Sequence, residues 1–512
     1  MKEKLEEEVK GIFKLVTSYA VDFFGAKDIR DIQRIDKNLF RHKCHEGFYL
    51  AQDRIISNLL EIEEELKKLK KQIKECKSGK ETEKFVAEES YDKLLDEEDM
   101  LSKEVLLFRR LADVMAWTIL KMDKILIRST QTGEDFHGYL LDKNIESLID
   151  VINKTKNLDE FMLINDITLC LGSGAGDLTR VRRGGFVFCE VKDGIVNKEI
   201  FDYVKQTGNY MKEKNIEIQD KKDVENLFKN RPNHGNFINK SASIFDNKKK
   251  REQFERIYRQ WERMGNVLDY HKRGIGFDIR KTKSGQETGR MKIMSEAKTA
   301  DEYFFNIIEK EFQYLSTIKS DFHIINFEEF LYFLLSDNQR GTVFNIKNSR
   351  WVRNKNAQHL LFHAINKNDC KYVTAKTEKD WKDAYEKELL IYKDLFVINW
   401  AEQILRDGSL RPPYLFSFDE NLIFDLLFER KSIFIHFDSD KFIEFVNSMG
   451  ISFLEMERVG KITHDSTDIK FKRHKEDKHK ITMGWGMIFR MMFEFQDPIS
   501  FLDQIVEVYN QE

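Results

Sequence analysis

The chain has 512 residues, 41% of them hydrophobic and 34% charged, which is length for about two to four domains with cores of their own and excludes a disordered or fibrous chain. Its apolar runs fall short of the roughly 18 consecutive residues that a membrane helix needs, so no transmembrane helix is expected. A formal net charge of −3 does not announce a nucleic-acid binder, and any such surface has to be local.

The amino-terminal stretch MKEKLEEEVK is charged and has neither the apolar segment nor the small-residue cleavage site of a secretory leader, so a cytoplasmic location is expected. The five cysteines, Cys44, Cys76, Cys170, Cys189 and Cys370, include no CxxC pair, which argues against a disulfide framework and a structural zinc site. Residues 1–50 read as helical. Beyond them Ile55, Leu59, Ile62, Leu66, Leu69, Ile73 and Cys76 alternate spacings of four and three, a heptad seam. After a polar gap with Ser78-Gly79 a second seam holds Leu94, Leu101, Val105, Phe108, Ala112, Met115, Ile119 and Met122. Two such helices joined by a loop predict an antiparallel hairpin, either a projecting coiled coil or half of a helical bundle. It offers a surface for a homo-oligomer or a partner protein.

Residues 130–215 change character. Helices are expected over Ile145–Asn153 and around Glu160–Leu169, followed by the glycine-rich turn Gly172-Ser173-Gly174-Ala175-Gly176 and two strand-like runs. The first run is Asp177–Val181 and the second Phe186–Lys192, rich in strand formers, and they read as a hairpin about Gly184-Gly185. Alternate residues of a strand share a face, so Glu190 and Lys192 project together and the hairpin brings Asp177 to the far end of the same ladder. Two carboxylates and an ammonium are a set suited to phosphodiester hydrolysis. Carboxylate oxygens hold Mg²⁺ or Mn²⁺, the metal lowers the pKa of a bound water, and the lysine orients or activates that water. Without such a task, an acid and a lysine at the end of an apolar strand are a costly placement.

The succession Gly174-Ala175-Gly176-Asp177, then Glu190-Val191-Lys192, then Gln206 with Tyr210 four residues on, resembles the GxGD…ExK…QxxxY pattern of the RecB-like branch of PD-(D/E)xK nucleases. The resemblance is confined to residues 130–215. It implies a restriction-endonuclease-like α/β core in which Asp177 and Glu190, with Val191, form the metal set, Lys192 serves the attacking water, and Gln206 and Tyr210 line the site or touch the nucleic acid. It also implies a further acid from the helix before the first strand. Asp166, Glu160 and Glu146 compete for that role, and Asp166 is preferred because its helix ends close to the turn. Some relatives carry an iron–sulfur cluster on four cysteines; Cys170 and Cys189 are too few nearby, and no cluster is expected.

Elsewhere, residues 248–292 contain fourteen Lys/Arg against six Asp/Glu, either the best phosphate-binding candidate in the chain or a solvated helix face. Phe254, Tyr258 and Trp261 stand there at helical spacing and read as a core stripe before base-stacking platforms. A second basic cluster, Lys470–Lys480, reads as a loop. The glycine-rich turn is not followed by Gly-Lys-Ser/Thr, so a Walker motif is unsupported, and His359 and His363 lack the glutamate of HExxH. Further on, helices are expected over Glu302–Tyr314 and Phe327–Leu335 and a strand over Ser432–Phe437.

The expected architecture is a multidomain α+β and α/β chain: a helical domain with a coiled-coil hairpin over 1–130, a nuclease core with a basic extension over 131–295, and a mixed α/β region over 296–512. The expected activity is metal-dependent hydrolysis of nucleic acid, DNA before RNA, by analogy as an effector of bacterial defence against phage. The rival is a non-catalytic nucleic-acid-binding or assembly protein that uses a nuclease-like fold and the coiled coil.

Overall fold

The computed structural model describes residues 2–78, 84–130, 138–172, 175–182, 185–191, 199–204, 247–250, 252–254, 257–258, 261, 264–265, 275–281, 287–293, 303–318, 322–339, 395–448, 452–458, 467–472, 481–484, 490–500 and 502. Within them the chain is a mixture of helix and antiparallel sheet, with a long helical amino-terminal region. It divides into two compact units, one of residues 1–13, 61–114 and 297–512, the other of residues 14–60 and 115–296.

Three helices, α1 (Lys2–Thr17), α2 (Tyr19–Phe24) and α3 (Ile29–Arg34), precede the long helices α4 (Lys37–Ser78) and α5 (Lys84–Ile119). Asp28 starts α3 by accepting from the backbone N–H groups of Arg30 and Asp31, and Asp36 starts α4 in the same way through Asn38 and Leu39. Such caps satisfy donors that a helix start leaves without partners.

The expected antiparallel pairing of α4 and α5 is present: Glu63 meets Arg109 at 3.1 Å and Lys70 meets Glu98 at 3.8 Å, so one helix descends as the other rises. Ile55, Leu59, Ile62, Leu66, Leu69 and Ile73 of the first seam are buried, whereas Cys76 is exposed. In the second, Leu101, Phe108, Ala112 and Met115 are buried; Met122 lies beyond the end of α5, exposed and in left-handed backbone at φ 59°.

Every residue from 107 to 117 is buried, which happens only where a helix is covered on all sides. The base of α5 is therefore enclosed, and the two-helix pattern belongs to the part of the hairpin nearer its turn. The charged side chains in the enclosed stretch are paired, as burial demands: Arg109 meets Glu63, and the Arg110 guanidinium meets the Asp113 carboxylate and also donates to the Leu410 carbonyl at 2.8 Å, while Arg110 Nε and the Trp117 indole N–H have no hydrogen-bond partner.

Helix α6 (Lys124–Thr130) and helix α7 (Ile145–Thr155) lead into strands β1 (Phe161–Ile164), β2 (Leu178–Arg182) and β3 (Gly185–Cys189), a three-stranded antiparallel sheet in that order. A second hairpin pairs β4 (Ile275–Lys281) with β5 (Glu287–Ile293). This corrects part of the reading of the basic segment: Arg280, Lys281, Arg290 and Lys292 lie on strands, not on a helix face. Phe254 is buried and packs against Tyr203 and Tyr258, as a core stripe should, while Tyr258 and Trp261 are half-buried.

In the other unit, helix α8 (Phe305–Ile318) precedes a four-stranded antiparallel sheet of β6 (Phe322–Glu328), β7 (Leu331–Asp337), β8 (Leu395–Asn399) and β9 (Lys431–Asp438), in the order β6-β7-β9-β8. The helix expected over Phe327–Leu335 is instead the end of β6, the β6–β7 turn and most of β7. Leu331, Phe333, Leu334 and Leu335 are all fully buried because β7 is an inner strand, and a continuous apolar run of that length does not by itself tell a buried strand from a helix. The strand expected over Ser432–Phe437 is β9.

Helices α9 (Trp400–Arg406) and α10 (Glu420–Leu427) pack on this sheet, and α11 (Ser439–Ser448) follows β9. Phe305, Trp400, Phe416, Phe418 and Phe495 pack mostly edge to face at centroid distances from 5.2 to 6.2 Å. The buried Trp400 indole donates to the Phe493 carbonyl at 2.8 Å, the polar partner that a buried tryptophan needs. Arg430 clamps α1 to α10 by reaching both Glu6 and Asp425, and its hydrogen bonds hold the Glu6 carboxyl below the usual carboxylate range.

Strands β10 (Ser452–Arg458), β11 (Thr467–Lys472) and β12 (Ile481–Gly484) form a separate antiparallel meander. Lys470–Lys472, expected in a loop, belong to β11; the remainder of that basic cluster and His359 and His363 lie outside the described residues.

Candidate active site

The segment expected as a helix around Glu160–Leu169 is strand β1 followed by one 3-10 turn, Asn165–Ile167. Tertiary contacts explain the difference. All four residues of β1 are buried, and β2 pairs along one edge. The other edge is held by α4, from which Gln52 takes the Ile164 N–H at 2.9 Å and donates to the Met162 carbonyl at 3.2 Å. One and two helical turns earlier, Tyr49 donates to the Glu160 carbonyl at 3.1 Å and the His45 imidazole meets the Leu158 carbonyl at 2.7 Å.

A helix thus supplies, from one face, the hydrogen bonds that another strand would have made. Burial pushes the His45 pKa down, so the imidazole in this ladder stays neutral near pH 7. Replacing Gln52 by Leu would leave the buried Ile164 N–H and Met162 carbonyl without these partners. It should lower stability by about 1–3 kcal/mol in urea unfolding, the cost of a stranded buried polar group.

At the far end of the sheet β1 stops, β2 starts and β3 stops. The β2–β3 register runs from Arg182 opposite Gly185 to Leu178 opposite Cys189, so Asp177 directly precedes β2 and Glu190 directly follows β3 at the same end of the hairpin. A turn centred on Gly184-Gly185 would have paired Leu178 with Val191 instead. The observed shift of two positions keeps the same side chains on the same face, since the strand period is two.

Past Leu178 the regular ladder gives way to other contacts. The Asp177 N–H donates to the Cys189 carbonyl at 2.9 Å, and the Val191 N–H donates to Asp177 Oδ2 at 2.7 Å. Gly176 sits at φ +72°, and a Cβ there would lie 2.8 Å from the Cys189 carbonyl oxygen and 3.2 Å from Glu190 Oε2. The Glu190 carboxylate therefore reaches back over the turn that delivers Asp177. Both acids are half-buried. The turn is anchored from beneath by Thr130 at the end of α6, whose hydroxyl accepts the Gly172 N–H at 3.1 Å and donates to the Ile127 carbonyl at 2.7 Å. Burial pushes the Cys189 thiol up, so next to Glu190 it remains a neutral thiol.

Of the acids competing for the third position, Asp166 lies on the 3-10 turn after β1 and not on a preceding helix. It shares the end of the sheet with Asp177 and Glu190 and is ion-paired with Lys143 at 3.3 Å. Glu160 is at the opposite end, where Arg180 and Arg182 engage it from the neighbouring strand, and Glu146 is exposed in the first turn of α7. Lys192, Gln206 and Tyr210 lie outside the described residues. Among the described residues no group of three or more His, Cys, Asp and Glu side chains is gathered closely enough to hold a metal ion, and no helix is long and apolar enough to cross a membrane.

Sequence reasoning missed Asn165, Thr179 and the α4 ladder. An asparagine directly after an apolar run was the available signal for the first; the ladder left none, because its residues are more than a hundred positions from their partners. No protein-family model, curated protein or solved structure matches the chain.

Proposed function

We propose that the chain is a metal-dependent nuclease of the PD-(D/E)xK type, hydrolysing phosphodiester bonds in DNA before RNA, with Asp177 and Glu190 as the metal-holding acids. The observation that carries this reading is the placement of the two carboxylates at the adjacent ends of β2 and β3, fixed by the Val191 N–H on Asp177 and by the close approach of Glu190 over Gly176. The donor set suits the cation. Mg²⁺ prefers hard oxygen ligands and commonly takes only one or two protein carboxylates, leaving its other positions to water and substrate phosphate, so a two-acid site is compatible with the lack of a larger cluster among the described residues.

When bound, Mg²⁺ supplies Lewis-acid polarisation of the phosphate and a water of lowered pKa. Asp177 and Glu190 would hold it, with the Val191 carbonyl as a third oxygen donor; Asp166, paired with Lys143, is not gathered with them into a three-acid group. The Val191 N–H occupies Oδ2 of Asp177 and so fixes the orientation of that carboxylate. Lys192 is assigned to the attacking water and Gln206 and Tyr210 to the nucleic acid, all three from the sequence pattern. An anti-phage setting is part of the proposal by analogy alone.

The test is cleavage of supercoiled, linear duplex and single-stranded DNA, and of RNA. Mg²⁺ or Mn²⁺ should support turnover, while Ca²⁺, with looser geometry, should support binding without it. Undiminished cleavage in EDTA would sink the metal-dependent reading, and no cleavage of any substrate with Mg²⁺ or Mn²⁺ would sink the proposal in favour of a non-catalytic binding or assembly protein.

A further inference from the structure

Asn165 stands where β1 ends, and it is 2% exposed with both ends of its side-chain amide engaged. Its Nδ2 donates to the carbonyls of Ala175 at 3.1 Å and Gly176 at 3.0 Å, and its Oδ1 accepts from Thr179 Oγ1 at 2.7 Å. Its backbone N–H donates to the Asp177 carbonyl at 2.9 Å, and its own carbonyl accepts from the Thr168 hydroxyl at 2.8 Å. These contacts bracket Asp177 on both sides in the chain. Two carbonyls against one end and a hydroxyl against the other require a group with two donors and an acceptor, which a short side-chain amide has and an ionised carboxylate of the same shape does not.

We propose that Asn165 is a positioning residue for the two-carboxylate site, holding the backbone of residues 175–179 so that Asp177 is delivered to the end of the hairpin that also carries Glu190. The proposal rests on the nuclease reading above. Asn165 touches neither metal nor substrate in it; it acts through the direction in which the Asp177 carboxylate leaves the turn. Thr179 completes the device, because its hydroxyl occupies Oδ1 and so keeps the NH₂ group turned towards the two carbonyls.

The test uses the full chain and reads Mn²⁺ affinity by calorimetry alongside thermal stability and cleavage. Asn165→Asp sets a carboxylate against two carbonyl oxygens. It should weaken Mn²⁺ binding and cleavage by about 10- to 100-fold, the range found when a group supporting a metal ligand is lost. Thr179→Val should weaken both in the same direction, and Thr179→Ser, which keeps the hydroxyl, should restore them. The threonine pair carries the test if Asn165→Asp does not fold.

A purely structural role would lower the melting temperature while leaving the Mn²⁺ affinity at its wild-type value, and that result in folded Asn165→Asp or in Thr179→Val overturns the proposal. Asp177→Asn and Glu190→Gln separate the two levels. If they bind Mn²⁺ as wild type does, the nuclease reading has failed; if they lose it while Asn165→Asp and Thr179→Val keep it, only the positioning role has.

Discussion

Asp177→Asn and Glu190→Gln are each expected to reduce Mg²⁺-dependent cleavage by about 10³-fold or more while leaving the chain folded. The magnitude follows from the several kcal/mol of transition-state stabilisation that a bound metal provides, at about 1.4 kcal/mol for each factor of ten in rate. The amides are chosen to keep the local structure. Asn at 177 still presents an oxygen to the Val191 N–H, which Asp177 Oδ2 accepts at 2.7 Å, so the turn keeps its tie to the end of β3.

Gln at 190 has the length of the glutamate that comes close to Gly176. What each change removes is a negative charge on an oxygen, the property a hard divalent cation selects. Single-turnover rates and calorimetric Mn²⁺ binding should therefore fall together, with urea unfolding close to wild type. A variant that cleaves at the wild-type rate would move the site elsewhere in the chain.

The parts of this fold that could be read from the sequence are those governed by local periodicity. The α4–α5 hairpin was legible because residues from Ile55 to Ile73 repeat at seam spacing and are buried along that seam, and β2 and β3 because strand formers flank a glycine pair. The parts that misled were apolar runs whose state depends on distant partners. Phe161–Ile164 becomes a strand because β2 pairs along one edge while Gln52 holds the other, and Leu331–Leu335 because β6 and β9 flank it. Apart from β6, which adjoins β7 in the chain, those neighbours lie outside any local window of sequence.

At the candidate site, the hairpin was legible and its register was not. A two-residue slip of the hairpin leaves the face pattern intact, so the sequence brought Asp177 to the end of the ladder that carries Glu190 without revealing that Leu178 pairs with Cys189. Asn165 escaped notice for a related reason. Its role is defined by the carbonyls of Ala175 and Gly176, and a backbone carbonyl has no signature in a sequence.

Gly176→Ala should be the most damaging single methyl group at the site. Two effects act together. At φ +72° an alanine incurs about 1–2 kcal/mol of backbone strain. Its Cβ would also lie 2.8 Å from the Cys189 carbonyl oxygen, which belongs to backbone and cannot swing aside. That same oxygen accepts the Asp177 N–H at 2.9 Å, so relieving the contact means parting the start of β2 from the end of β3 and drawing Asp177 away from Glu190.

A displacement of about 1 Å in a reacting group is enough to cost roughly 10²-fold in rate, and cleavage should fall by that order even in the fraction that stays folded. Gly185→Ala is the matched control: Gly185 pairs with Arg182 at the other end of the same hairpin, and a Cβ there meets nothing within 4 Å. Urea unfolding and single-turnover cleavage of the two variants, measured side by side, should separate sharply. If Gly176→Ala matches Gly185→Ala in both, the close packing of the turn against Glu190 does not exist in solution, and the two acids are not held together at the end of the hairpin.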